Sequence, residues 1–104
     1  MIVVVARHQL RPEHADTFPQ QLAAFTSASR QEPGVISFDW TRSTDDHALC
    51  FLIEVFNDAA AGEAPVQSEH FKDAIAILPT LLTRPPDIIH VSADGGGWAR
   101  MAEV

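Results

Sequence analysis

The run ALCFLIEVF, residues 48 to 56, carries a single polar side chain, Glu54. Successive side chains of a strand point to opposite faces, so a strand apolar at alternate positions needs one cover and a strand apolar throughout needs two. Such a segment belongs in the middle of a sheet. The residues before it, VISFDWTR (35 to 42), alternate instead, with Ile36, Phe38 and Trp40 on one side and Ser37, Asp39 and Thr41 on the other. Between the two lies Ser43-Thr44-Asp45-Asp46-His47, which is polar turn material. Residues 35 to 56 therefore read as an antiparallel hairpin whose second strand is central.

The rest of the chain supplies partners for that hairpin. IVVVARHQL reads as a strand that stops at Arg11-Pro12, where proline suits the start of a helix. Phe18, Leu22, Phe25 and Ser29 repeat at helical spacing, which predicts a helix over residues 13 to 32. Pro19 lacks a backbone donor and should bend or delay its first turns. Glu32-Pro33-Gly34 breaks this helix. After the hairpin, Gly62 and Pro65 disfavour a long helix in the Ala-rich segment that follows Asn57-Asp58. Ser68 opens a second helix with Phe71, Ile75 and Leu78 as its buried stripe, Pro79 is expected to end it, and TLLT reads as a short apolar turn. Arg84-Pro85-Pro86 breaks the chain again before a fourth strand, DIIHVSA, and Gly95-Gly96-Gly97 releases the tail. The order β-α-β-β-α-β is that of an α+β, ferredoxin-like fold: a four-stranded antiparallel sheet with two helices on one face, formed as one domain over residues 1–94 with a Gly-rich tail over 95–104. The second sheet face also carries apolar side chains, and such a face seldom stays in water, so a homodimer packed through it is expected.

The bulk chemistry narrows the partners. Fourteen acidic residues against seven basic ones give a net charge of -7, which repels phosphate backbones, so no nucleic-acid partner is expected. MIVVVA is too short for a signal-peptide core, and nothing approaches the ~20 apolar residues of a membrane span, so a cytoplasmic protein with no membrane partner is expected. Cys50 stands alone, which excludes an internal disulfide, and within its apolar run it reads as a small buried hydrophobe.

Four segments together resemble the antibiotic biosynthesis monooxygenase family, over roughly residues 1 to 93. EPGVISFDW resembles its helix-to-strand breaker and aromatic-bearing strand, and IEVFND its glutamate-and-aromatic third strand. SEHF resembles its serine-histidine-aromatic helix start, and LPTLLTRPPDIIHV is similar to its closing segment. The resemblance implies a dimeric α+β barrel. Its known activities include cofactor-independent oxidation of phenols, anthrones and quinols, haem degradation and the processing of signal molecules. The chain departs from the pattern at three positions. Pro65 stands where many relatives carry a histidine and haem degraders a tryptophan, Ile75 stands where haem degraders ligate iron, and Gly62 replaces a bulkier apolar residue. Haem degradation is therefore disfavoured, and a re-routed segment over residues 58 to 67 is expected.

Within that family the expected activity is monooxygenation of a small phenolic, anthrone or quinol-like compound without a cofactor. Dioxygen takes an electron readily from a phenolate or carbanion, so the protein must deprotonate and enclose its substrate. The candidate base is His70: a histidine in the first turn of a helix has its charged form disfavoured by the helix dipole and stays able to accept a proton. Ser68 would cap that helix and fix where the imidazole starts. Phe38, Trp40, Phe51 and Phe56 could form a flat pocket for a small aromatic substrate, and His8 and His90, on the first and fourth strands, could line a cavity or face solvent. His14 and His47 read as surface residues. Glu54, in a buried strand, is expected to pair with Arg7 or Arg42 rather than act as an acid or base. No zinc-type spacing of His and Cys, no GxGxxG and no P-loop occurs, so neither metal nor nucleotide is expected. The rival readings are a non-catalytic domain that binds a small ligand or only dimerises, and an isomerase acting on a small carbonyl compound.

Overall fold

A computed structural model describes residues 1–63 and 68–104. Four strands, β1 (Ile2–Gln9), β2 (Val35–Arg42), β3 (Leu49–Phe56) and β4 (Asp87–Ser92), form one sheet in the order β2-β3-β1-β4, with every pairing antiparallel. The apolar run that demanded two neighbours is β3, held between β1 and β2. Helices α1 (Phe18–Gln21), α2 (Ala23–Arg30), α3 (Ala59–Glu63) and α4 (Glu69–Leu81) complete the ferredoxin-like α+β fold.

The register divides the sheet into two faces. Directly opposed residues share a face, so Val4, Glu54, Phe38 and His90 form one cross-strand row, and Ala6, Leu52, Trp40 and Ile88 form the next. This inner face meets the helices. Its far end merges with a core of Leu10, Phe18, Leu22, Cys50, Ala74, Leu81 and Leu82. Cys50 is 4% exposed and burial pushes its thiol pKa up, in keeping with a packing role. The outer face presents Val3, Val5, Phe51 and Ile53 from the two central strands, with Ile89 and Val91 on β4.

Two helices differ from the sequence expectation, each at a proline. The helix predicted over 13 to 32 is divided into a 3-10 turn at Pro12–His14, then α1, then α2, with the break at Leu22 (φ -109°). Pro19 sits in the first turn of α1 and has no N–H to offer the Ala15 carbonyl four residues back; Arg42 Nη2 donates to that carbonyl instead, at 2.9 Å. Pro79, expected to end the second helix, lies inside α4, which continues to Leu81. What carries the helix past it is tertiary: Leu81 and Leu82 are 1% and 3% exposed. The Arg11 amide donates to the Leu81 carbonyl at 2.8 Å and the Thr83 amide to the Gln9 carbonyl at 3.0 Å. Burial of two leucines and these ties to the end of β1 outweigh one lost helical bond. TLLT is accordingly half helix and half bridge to Leu10 rather than a free turn.

The breaker at Gly34 is set by space as well as by conformation. Its φ is +82°, and a Cβ there would lie 2.5 Å from that of Ala61, so a side chain at this point would push α3 away. The C-terminal tail turns back on β2, where Trp98 Nε1 donates to Ser37 Oγ at 3.0 Å while most of the indole stays exposed. Among the described residues no helix is long and apolar enough to cross a membrane.

Candidate functional site

Between the inner sheet face and helices α2 and α4 lies a cavity of about 610 Å³. Its floor is Val4, Ala6, Leu52 and Phe56, its walls include Phe38 and Trp40, and its roof is Phe25, Phe71, Ile75 and Leu78. Helical spacing explains the roof: Phe71, Ile75 and Leu78 were the stripe expected to face inward. The register explains the floor. On the β4 side the cavity opens, because Ile88 is 65% and Ile75 51% exposed.

Among the described residues, three titratable side chains line this space: His8, Glu54 and His90. His8 is 3% exposed, and its Nδ1 donates to the Ala6 carbonyl at 3.1 Å. With that nitrogen protonated, the neutral ring carries its lone pair on Nε2. Burial pushes the His8 pKa down, so the ring is held neutral against the edge of Trp40, 4.8 Å away between ring centres. Glu54 is the reverse case. Burial pushes its carboxyl up to about 7, and among the described residues it makes no ion pair.

The salt bridge expected for Glu54 does not form. Arg7 stands opposite Phe51 and Asp87 on the outer face, and its guanidinium donates to Asp87 Oδ2 at 2.9 and 3.1 Å. Arg42 is occupied by the carbonyls of His47 and Ala15. Alternation along β1 put Arg7 out of reach, and the division of the first helix claimed Arg42.

Of the site residues expected from sequence, Phe38, Trp40, Phe56 and His8 are brought together on the cavity, with His90 at its β4 side, whereas Phe51 is not, because strand alternation turns it to the outer face opposite Arg7. Ser68 and His70 are not in its lining. Ser68 is the N-cap of α4 and accepts from the Phe71 amide at 3.2 Å, which fixes the turn from which Phe71 enters the roof. His70 Nε2 lies 3.1 Å from Glu32 Oε1, with both side chains mostly buried. The approach is an electrostatic contact outside hydrogen-bonding geometry, since Nε2 makes no hydrogen bond. The ring centre lies 6.1 Å from that of Phe25, one of the roof residues. His47 pairs with Asp16 at an exposed position, as a surface residue would. Pro65 lies outside the described residues. Among the described residues no three of His, Cys, Asp and Glu converge on a point that could hold a metal ion.

The residue that sequence reasoning undervalued is Glu54. Its signal was present as the one carboxylate in an apolar strand, but choosing between a paired and an unpaired acid required knowing which face each arginine takes.

Comparison with known proteins agrees with this architecture. The family model for antibiotic biosynthesis monooxygenases matches residues 1–77. The uncharacterized protein sll1783 of Synechocystis is 31% identical over 88 residues, 84% of this chain and 59% of that protein, so the chain spans under two thirds of that relative's length. Among solved structures, Rv0793 from Mycobacterium tuberculosis superposes with a TM-score of 0.81 at 26% identity, covering 90% of this chain and 95% of that one. PA3566 from Pseudomonas aeruginosa does so with 0.79 at 26% identity, covering 90% and 94%.

Proposed function

The chain belongs to the antibiotic biosynthesis monooxygenase family, and from that premise we propose that it oxidises a small planar phenolic, anthrone or quinol-like compound with dioxygen and without a cofactor. The observation that carries this reading is a carboxyl of raised pKa, Glu54, with no ion pair among the described residues, on the sheet side of an apolar, aromatic cavity. A group that titrates near neutral pH is half ionised at the working pH, which is what a general base requires. The volume, about 610 Å³, suits two or three fused rings.

In this mechanism the ionised Glu54 takes the acidic proton of the bound substrate. The resulting carbanion or phenolate gives one electron to dioxygen, and the radical pair recombines to a peroxide at the ring carbon. Glu54 returns its proton to the outer peroxide oxygen; the O–O bond then breaks as the remaining hydrogen leaves the same ring carbon as a proton, and the two protons and that oxygen depart as water, leaving a carbonyl. For an anthrone the sum is one anthrone and one dioxygen giving one quinone and one water, with no external reductant. His8, neutral and fixed through Nδ1, offers Nε2 as an acceptor for a substrate hydroxyl. Phe38, Trp40 and Phe56 supply the flat surfaces. His70, the base suggested by the family motif, supports the site through α4 in this reading, because its ring stands beside Glu32 outside the cavity lining and Glu54 is the group that faces the cavity. The apolar outer face supports a homodimer as the working form.

Oxygen uptake by purified protein against a panel of anthrones and hydroquinones tests the proposal. Glu54→Gln should lower kcat by about 100-fold or more, with His70→Ala the milder of the two. Product formed without oxygen consumption would favour the isomerase. Uptake no faster than autoxidation, with ligand still bound, would favour a binding domain. A larger loss in His70→Ala than in Glu54→Gln would return the proton transfer to His70.

A further inference from the structure

A second, smaller cavity of about 300 Å³ adjoins the first. Ile75, Leu78 and Pro86 line both, so the two are neighbours across the C-terminal half of α4, on the side where the large cavity is open. Its walls are otherwise Pro79, Leu82, Thr83 and Pro85, with Arg11 and Arg84 as its charged residues. The prolines make this wall stiff, and the ties between the end of β1 and residues 81 to 83 hold Arg11 and Arg84 on one groove.

Neither cation has a carboxylate to itself among the described residues. Arg11 makes no ion pair among the described residues. Arg84 reaches Asp87 Oδ2 at 3.3 Å, but the same oxygen accepts from Arg7 at 2.9 Å, so one carboxylate serves two guanidiniums. In a chain with twice as many acidic as basic residues, an apolar groove bearing two such arginines is a local reversal of sign. Guanidinium pairs recognise carboxylates through paired hydrogen bonds.

We propose that the substrate of this site carries a carboxylate on a short side chain, with its ring system in the large cavity and the carboxylate held by Arg11 and Arg84 in the adjoining groove. The inference rests on the large cavity being a site for planar aromatic compounds. It adds a polarity to the bound molecule: the ring enters first and the anion stays near the mouth, where the exposed arginines lose little hydration.

Quenching of Trp40 fluorescence, read in a Trp98→Phe background, tests this by direct binding. Three probes suffice: menadione, menadione carrying a butanoate side chain, and the methyl ester of that butanoate. The butanoate should bind about 10-fold more tightly than its ester, the increment of a charge-assisted contact at a partly exposed site. That ratio should fall to about one in the Arg11→Ala/Arg84→Ala variant and shrink at high salt. Equal affinities for acid and ester, or a ratio that survives the double substitution, would overturn the carboxylate subsite while leaving the cavity intact, because menadione would still quench. If menadione itself fails to quench Trp40, the aromatic site and this inference fall together.

Discussion

The two faces of one sheet handle charge in opposite ways. On the outer face, Arg7 sits beside Asp87 and Arg30 lies 3.6 Å from Asp39, and these pairs flank aliphatic side chains such as Val5 and Ile53. On the inner face, half-buried Glu54 and buried His8 have no opposite charge paired with them among the described residues, and each has its pKa moved toward the neutral form, the acid upward and the base downward. Pairing charges at the rim of an apolar surface is what an interface tolerates. Leaving an acid unpaired in a cavity costs stability and yields a group that can exchange protons near neutral pH. The outer face is thus suited to assembly and the inner face to chemistry.

Three substitutions would break or sharpen this contrast. The largest effect is expected from Glu54→Gln. Because the folded pKa of Glu54 is raised from 4.5 to about 7, the native state holds its proton more tightly than the unfolded chain. The stability it contributes is therefore complete below pH 4.5 and is lost as pH rises through 7. Above pH 8 the buried anion costs up to about 3 kcal/mol, which the glutamine variant should recover. Urea unfolding at pH 5 and pH 8 would show the wild type weakening between them and the variant weakening less. Burial holds His8 below 6.5, which makes acid the destabilising direction for it, and that contribution is common to both proteins.

On the other face, Ile53→Arg places a charge at the middle of β3 and, in a symmetric dimer, near its own copy. The dimer dissociation constant should rise at least about 100-fold, or about 2.7 kcal/mol, by sedimentation equilibrium. A variant that dimerises as before would remove the outer face from assembly. The smallest effect belongs to Asp87→Asn, which breaks the exposed charge pair of Arg7 and Arg84. No resolvable change in the unfolding midpoint is expected, since exposed pairs are screened and entropically costly.

Much of this was legible in the amino-acid sequence. The alternation of β2, the apolarity of β3 broken only at Glu54 and the stripe of α4 specify the central strand, the floor and the roof, and they brought Phe38, Trp40, Phe56 and His8 to one cavity. What was hidden is non-local. Whether Pro79 ends a helix depends on how well Leu81 and Leu82 are buried, and whether Glu54 finds an arginine depends on the register between β1 and β3. His70 shows the same limit: its place in a helix start was evident, but not that Glu32, thirty-eight positions earlier, stands beside it. Local propensity fixes which residues share a face, while the pairing of faces decides which charges meet.

Chemistry on the inner face requires that the Glu54 carboxyl titrate near neutrality inside the cavity. Carbon-detected NMR of protein labelled at the glutamate side-chain carboxyl, with Glu54→Gln to assign the resonance, measures this without any substrate. The account predicts a midpoint above pH 6 for that one resonance. A midpoint at or below pH 5 would mean that Glu54 is solvated or paired, and would contradict it.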